Sequence, residues 1–205
     1  MGFFLRIARN MGFDTEGVEP SPSLTKIAVE QWNLKIHCAF LEDANLPKES
    51  YDIITLIDVF EHVAIPKALL KTCSELLKPD GIIVIKVPNG DYNKLKMKLA
   101  KLTAKDNGID IWDCCEHVAH YTPSTFKKMA ESCGFRVKKR MIPLPIHPPI
   151  WPSLVGHCYQ YPSPHILDWK RVMLRNIFYW IGSIELLFRD KSNFGPDLMF
   201  IIEKK

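Results

Sequence analysis

The sequence predicts an α/β fold built on a doubly wound, Rossmann-like, mostly parallel sheet. Three observations carry that prediction. Short apolar runs of strand character alternate with amphipathic stretches of helical period. Two of the runs, "YDIITLIDVF" and "GIIVIKVPN", are nearly continuous in apolar residues, the pattern of strands covered on both faces. Proline, serine and glycine punctuate the joins where helices start and stop. Alternation at this spacing favours parallel strands with right-handed crossovers.

The elements follow in order. Phe3, Phe4, Ile7 and Ala8 fall on one face of a helix that Gly12 can end. "FDTEGVEP" is a short strand, and "SPSLTKIAVEQWN" is a helix with Ser21 or Ser23 as N-cap. "LKIHCAF" is a strand and "LEDANLPKES" an acidic loop. After the strand "YDIITLIDVF" comes "IPKALLKTCSELLKPDG", a helix that Pro66 can start and Gly81 can end. Residues 93–105 form a lysine-rich, solvated helix. "TPSTFKKMAESCGF" is a capped helix with Gly134 at its end, and "RVKKRMI" a strand. Residues 143–164 are rich in proline and aromatics and read as an irregular loop. "HILDWKRVMLRNIFYWIGSIELLF" is a long amphipathic helix, and "PDLMFIIEKK" a terminal strand. The predicted organisation is a core over 1–142, a loop and helical cap over 143–194, and a closing strand of the core over 195–205.

Composition narrows the function classes. The chain has 205 residues, is 47% hydrophobic and carries a formal charge of +4, which suits one globular core and gives no nucleic-acid signature. Its six cysteines are scattered without a ladder of short spacings, so they read as reduced thiols in a cytoplasmic protein. The opening stretch, with Arg6 and Arg9 inside its apolar run, reads as too short and too helical for a secretory signal, and no run of about 18 apolar residues predicts a membrane span. The aromatic, cationic helix near the C-terminus reads as a packing face or lid, which would make an apolar cap over a site.

Acids at the ends of predicted strands are the first candidate site residues, because ligands of open α/β sheets bind outside the carboxyl ends of strands. Glu19 closes the first visible strand, where a carboxylate can accept hydrogen bonds from a ribose diol. Glu42 and Asp43 follow the second strand, where either can meet an adenine amino group or cap a turn. Asp58 ends the third. Histidines are the candidate bases: His62 in "FEHV", and His117 and His120 in "CCEHVAHY". The run Asp113, Cys114, Cys115, Glu116, His117 and His120 lacks a recognised ligand spacing, so no metal is predicted.

These residues also match a family. "DIITLIDVFEHV", followed by "LLKPDGIIVIKVPN" and then "EHVAHYTPSTFKKMAESCGF", resembles class I S-adenosylmethionine-dependent methyltransferases over roughly Gly2 to Met141. The final "DLMFIIEKK" suits that family's closing antiparallel strand. The resemblance implies methyl transfer from S-adenosylmethionine to a small-molecule acceptor, apolar if the cap shapes its site. It implies that Glu19 binds the cofactor ribose, that Glu42 or Asp43 meets the adenine, and that Asp58 and Val59 line the pocket near the methionine part. Gly2 resembles the last glycine of the G-x-G-x-G turn, and His117 or His62 is the expected catalytic base or acceptor contact. A homodimer is left open.

The resemblance lacks the family's first strand and the first two glycines. That strand lies centrally in the family's sheet, so its loss predicts two half-sheets. A strand of about five residues, with each orphaned buried amide costing about 1–3 kcal/mol, would consume a domain's net stability of about 5–15 kcal/mol. The sequence therefore reads as a truncated frame. Two alternatives stand beside methyl transfer. One is a nicotinamide-dependent oxidoreductase, since an acid after the second strand serves both cofactors. The other is a non-catalytic remnant.

Overall fold

A computed structural model of the chain describes residues 2–103, 117–141, 143, 195 and 197–205. The expected loop and long helix over 144–194, and the acid and cysteine run over 113–116, lie outside these residues. The described chain is an α/β fold of six strands in two sheets. It divides into two compact units, residues 1–52 with 65–81, and residues 53–64 with 82–205.

In the first unit, helix α1 (Phe3–Asn10) leads to strand β1 (Glu16–Val18), helix α2 (Pro22–Trp32) and strand β2 (Lys35–His37). β1 and β2 pair in parallel, Gly17 opposite Ile36, as a two-stranded sheet of their own. Pro22 occupies the first turn of α2, and the Ser21 hydroxyl accepts from Leu24 N at 3.4 Å, so a preset φ and a side-chain cap both fix the helix start. Helix α3 (Pro66–Leu76) also begins on a proline, and it buries Leu69, Leu70, Cys73 and Leu76 on one face. α3 stops at Leu76, five residues before the expected Gly81. Pro79 disfavours helical backbone at Lys78, and the chain passes directly into strand β4 (Leu77–Pro88). The apolar face of α1 is exposed, with Phe3 61% accessible.

The second unit holds most of a four-stranded sheet. Its order is β3 (Tyr51–Ile57), β4, β6 (Asp197–Lys204), β5 (Phe135–Met141). β6 runs antiparallel to both neighbours, so β4 and β5 share one direction. The closing strand is therefore the reversed one, as expected. β4 alternates buried and half-buried residues, with Ile83, Ile85 and Val87 inside. β3 departs from the expected burial on both faces: only Leu56 is buried and Ile53 is 44% exposed, because β3 stands at the edge of its sheet. Helix α5 (Pro123–Ser132) packs its Phe126 flat against Phe200 of β6, ring centroids 3.9 Å apart. Phe60, Phe126, Phe135 and Phe200 form the aromatic heart of this core, each worth about 2–3 kcal/mol of burial. Helix α4 (Gly90–Thr103) covers the predicted lysine-rich stretch.

Candidate functional site

In the first unit the candidate residues gather around the ends of β1 and β2. Gly2 precedes α1 in a left-handed conformation, φ +69°. A Cβ there would lie 2.5 Å from the Leu34 side chain, so the dihedral and the space both favour glycine. Glu19 follows β1. Its amide donates to the His37 carbonyl at 3.0 Å, which extends the β1–β2 ladder by one bond. Its Oε1 accepts from Ser21 N at 2.9 Å, and its carbonyl accepts from the Thr25 hydroxyl at 3.2 Å. The carboxylate is thus fixed at the entry to α2 and retains lone pairs for a ligand's hydroxyls. Glu42 and Asp43 lie in a 3-10 turn, Leu41–Asp43, with both side chains exposed. Burial, together with the negative charge of Glu42, pushes the Cys73 thiol up to about 12. Cys73 is therefore an inert core residue.

In the second unit β3 is followed by Asp58, a non-glycine residue at φ +54°. Two bonds hold it there. Its amide donates to the Lys86 carbonyl at 3.2 Å, and its Oδ1 accepts from Lys86 Nζ at 2.6 Å. Lys86 also faces Asp197 at 3.4 Å. Burial would lower the Lys86 ammonium, but Asp197 and Asp58 outweigh it and hold the pKa above the usual value. Val59, exposed, leads into a 3-10 turn, Phe60–His62.

That turn is anchored twice. The Phe60 ring is fully buried against Tyr121 and Phe126, at 5.3 and 5.9 Å. The Glu61 carbonyl accepts from both Val118 N at 2.9 Å and Ala119 N at 3.0 Å. The two segments are thereby tied together, which brings the His62 and His117 rings to 4.9 Å and leaves His117 and His120 5.8 Å apart. Glu61, between them, is 1% exposed, and burial pushes its carboxyl pKa up. Burial also lowers His120, which favours its neutral form. Glu61 and Lys86 are the residues that sequence reasoning passed over. The nearly continuous apolar run "GIIVIKVPN" marks Lys86 only as an interruption, and nothing local marks Glu61 as buried.

A family model described as a methyltransferase domain matches residues 1–139. The chain belongs to this methyltransferase family. Among curated relatives of this methyltransferase-family chain is a ubiquinone biosynthesis O-methyltransferase from Coxiella burnetii, 27% identical over 128 residues, 59% of the chain and 53% of the relative. Another, from Bradyrhizobium diazoefficiens, is 30% identical over 94 residues, 43% of the chain and 37% of the relative. The chain thus spans about half the length of the curated relatives it matches. Of solved structures, a SAM-dependent methyltransferase from Archaeoglobus fulgidus superposes with a TM-score of 0.56 at 22% identity, over 100% of this chain and 81% of that one. A Burkholderia thailandensis 1,6-didemethyltoxoflavin-N1-methyltransferase, solved with its substrate and S-adenosylhomocysteine, gives 0.55 at 10% identity, over 100% and 67%. These likenesses show the fold. No helix among the described residues is long and apolar enough to cross a membrane.

Proposed function

We propose that the chain is the cofactor-binding part of an S-adenosylmethionine-dependent methyltransferase acting on a hydroxyl of a small molecule. The observation that carries this reading is the family match over 1–139, a span that contains every candidate cofactor and acceptor residue. The names of the curated relatives support an oxygen acceptor.

Each unit by itself carries residues of kinds that the cofactor needs. Gly2 provides a left-handed backbone position with little room for a side chain. Glu19 is fixed by one carboxylate oxygen and can accept from ribose hydroxyls with its remaining lone pairs. Glu42 or Asp43, exposed after β2, suits an adenine amino group. Asp58 and Val59, at the end of β3, suit the methionine part, with Asp58 oriented by Lys86. When bound, S-adenosylmethionine supplies a methyl group on a positively charged sulfur, already activated for in-line displacement. The protein's task is then to position the acceptor and exclude water. His62 and His117, with rings 4.9 Å apart, are the acceptor-side groups, and a hydroxyl acceptor must shed a proton.

The family match speaks against the nicotinamide-dependent reading. Isothermal titration with S-adenosylhomocysteine and with NAD tests the choice: the former is expected to bind and the latter not. Glu19→Ala should weaken S-adenosylhomocysteine binding about 10- to 100-fold, the loss of charge-assisted hydrogen bonds of about 1.5–3 kcal/mol. Unchanged affinity would remove Glu19 from the site. A folded chain that binds neither ligand would favour the non-catalytic alternative.

A further inference from the structure

We infer that Lys86 and Asp197 are positioning residues, which hold the Asp58 carboxylate ready to accept from the ammonium group at the methionine end of the cofactor. That role rests on the methyltransferase reading; the cluster of three charges does not. All three residues belong to the second unit. Asp58 has φ +54°, in a region that a residue with a Cβ seldom occupies. Such a backbone persists only where its surroundings hold it. Lys86 holds it at both ends: its carbonyl accepts from the Asp58 amide at 3.2 Å, and its Nζ donates to Asp58 Oδ1 at 2.6 Å. Backbone and carboxylate are thus set together by one residue of β4.

Lys86 is itself held. It is half-buried on the face of β4 that carries Ile82 and Val84. Its ammonium also lies 3.4 Å from Asp197 Oδ2, at the first residue of β6, which stands opposite Pro88 of β4. Burial pushes the Asp197 carboxyl up, and the charge of Lys86 opposes that. With both acids ionised, two carboxylates and one ammonium leave one net negative charge. A Lys86–Asp58 pair alone would be neutral, so Asp197 restores the sign that a cationic ligand group needs. One bond to Lys86 leaves the Asp58 carboxylate with acceptor capacity, and its side chain is 52% exposed, within reach of a ligand. An ammonium donor to that carboxylate makes a charge-assisted bond. Without Lys86 the carboxylate is free to turn into water, and binding must then bear the cost of ordering it.

Isothermal titration with S-adenosylhomocysteine and with 5′-methylthioadenosine, which lacks the amino-acid end, tests the role. Lys86→Met keeps an unbranched stem on the half-buried face of β4. It should weaken S-adenosylhomocysteine binding about 10-fold, the order of one side chain's ordering cost. Affinity for 5′-methylthioadenosine should stay within about 2-fold of wild type. Asp58→Asn should discriminate in the same way, and adding Lys86→Met to it should cost nothing further, because Lys86 acts through Asp58. Asp197→Asn should weaken only S-adenosylhomocysteine, by about 3-fold. Far-UV circular dichroism checks that each variant folds, and Lys86→Gln carries the comparison if Lys86→Met does not. Equal weakening of both ligands, no change in either, or a further loss in the double variant would overturn the role of Lys86. A wild-type chain that binds neither ligand overturns the methyltransferase reading and the role together.

Discussion

Glu16 shows how a single side chain can carry the electrostatics of its unit. It opens β1, and its carboxylate accepts from Lys35 Nζ at 2.5 Å, from His37 Nε2 at 3.1 Å, and from the Tyr51 hydroxyl. Burial opposes its ionisation, yet the hydrogen bonds from Lys35, Tyr51 and His37 outweigh burial and hold the pKa at about 2, against an ordinary 4.5. Burial and donation to Glu16 together push the Tyr51 phenol up. Because the folded pKa is depressed, the stability from Glu16 is fully present above pH 4.5 and drains away as pH falls towards 2. It amounts to about 2 kcal/mol after allowance for the exposed Lys35 partner. Urea unfolding at pH 5 and pH 3 should show this loss, and Glu16→Gln should flatten that part of the pH dependence. A second expectation at this scale concerns Gly2. Gly2→Ala places a Cβ against Leu34 at a positive φ, so it should lower stability by about 1–3 kcal/mol in urea titration.

Helices and strands are where local chemistry speaks most plainly. Pro22, Pro66 and Pro123 each stand at the first turn of a helix, and Pro66 was legible as a start signal. α5 has a reciprocal cap: the Thr122 hydroxyl accepts from Thr125 N at 3.2 Å, and the Thr125 hydroxyl accepts from Thr122 N at 2.9 Å. Thr122→Ala should therefore reduce stability by about 1 kcal/mol, with a lower urea midpoint and an unchanged slope. The end of α3 was misjudged for a physical reason. Gly81 is a good stop signal, but Pro79 acts earlier in the chain by excluding helix at Lys78. β3 shows the same limit: a continuous apolar run reports strand propensity, whereas its exposure depends on standing at a sheet edge.

For the whole molecule, ligand linkage gives the broadest test. A ligand that binds only the folded chain stabilises it by about 2.7 kcal/mol at 100 times its Kd, or about 5–10 °C in Tm at about 2–4 °C per kcal/mol for a chain of this size. S-adenosylhomocysteine should produce such a shift in a thermal melt, and NAD should not. The sequence by itself determined the alternation of strand and helix and the helix starts, and its motifs carried the family resemblance that implied a reversed last strand. These rest on period, capping and motif order, which are properties of neighbouring residues. The burial of Glu61, the Lys86 clasp on Asp58 and the meeting of His62 with His117 were decided only by the tertiary structure. They depend on backbone bonds and aromatic packing between segments far apart in the chain, and no local pattern encodes which distant amides a carbonyl will find.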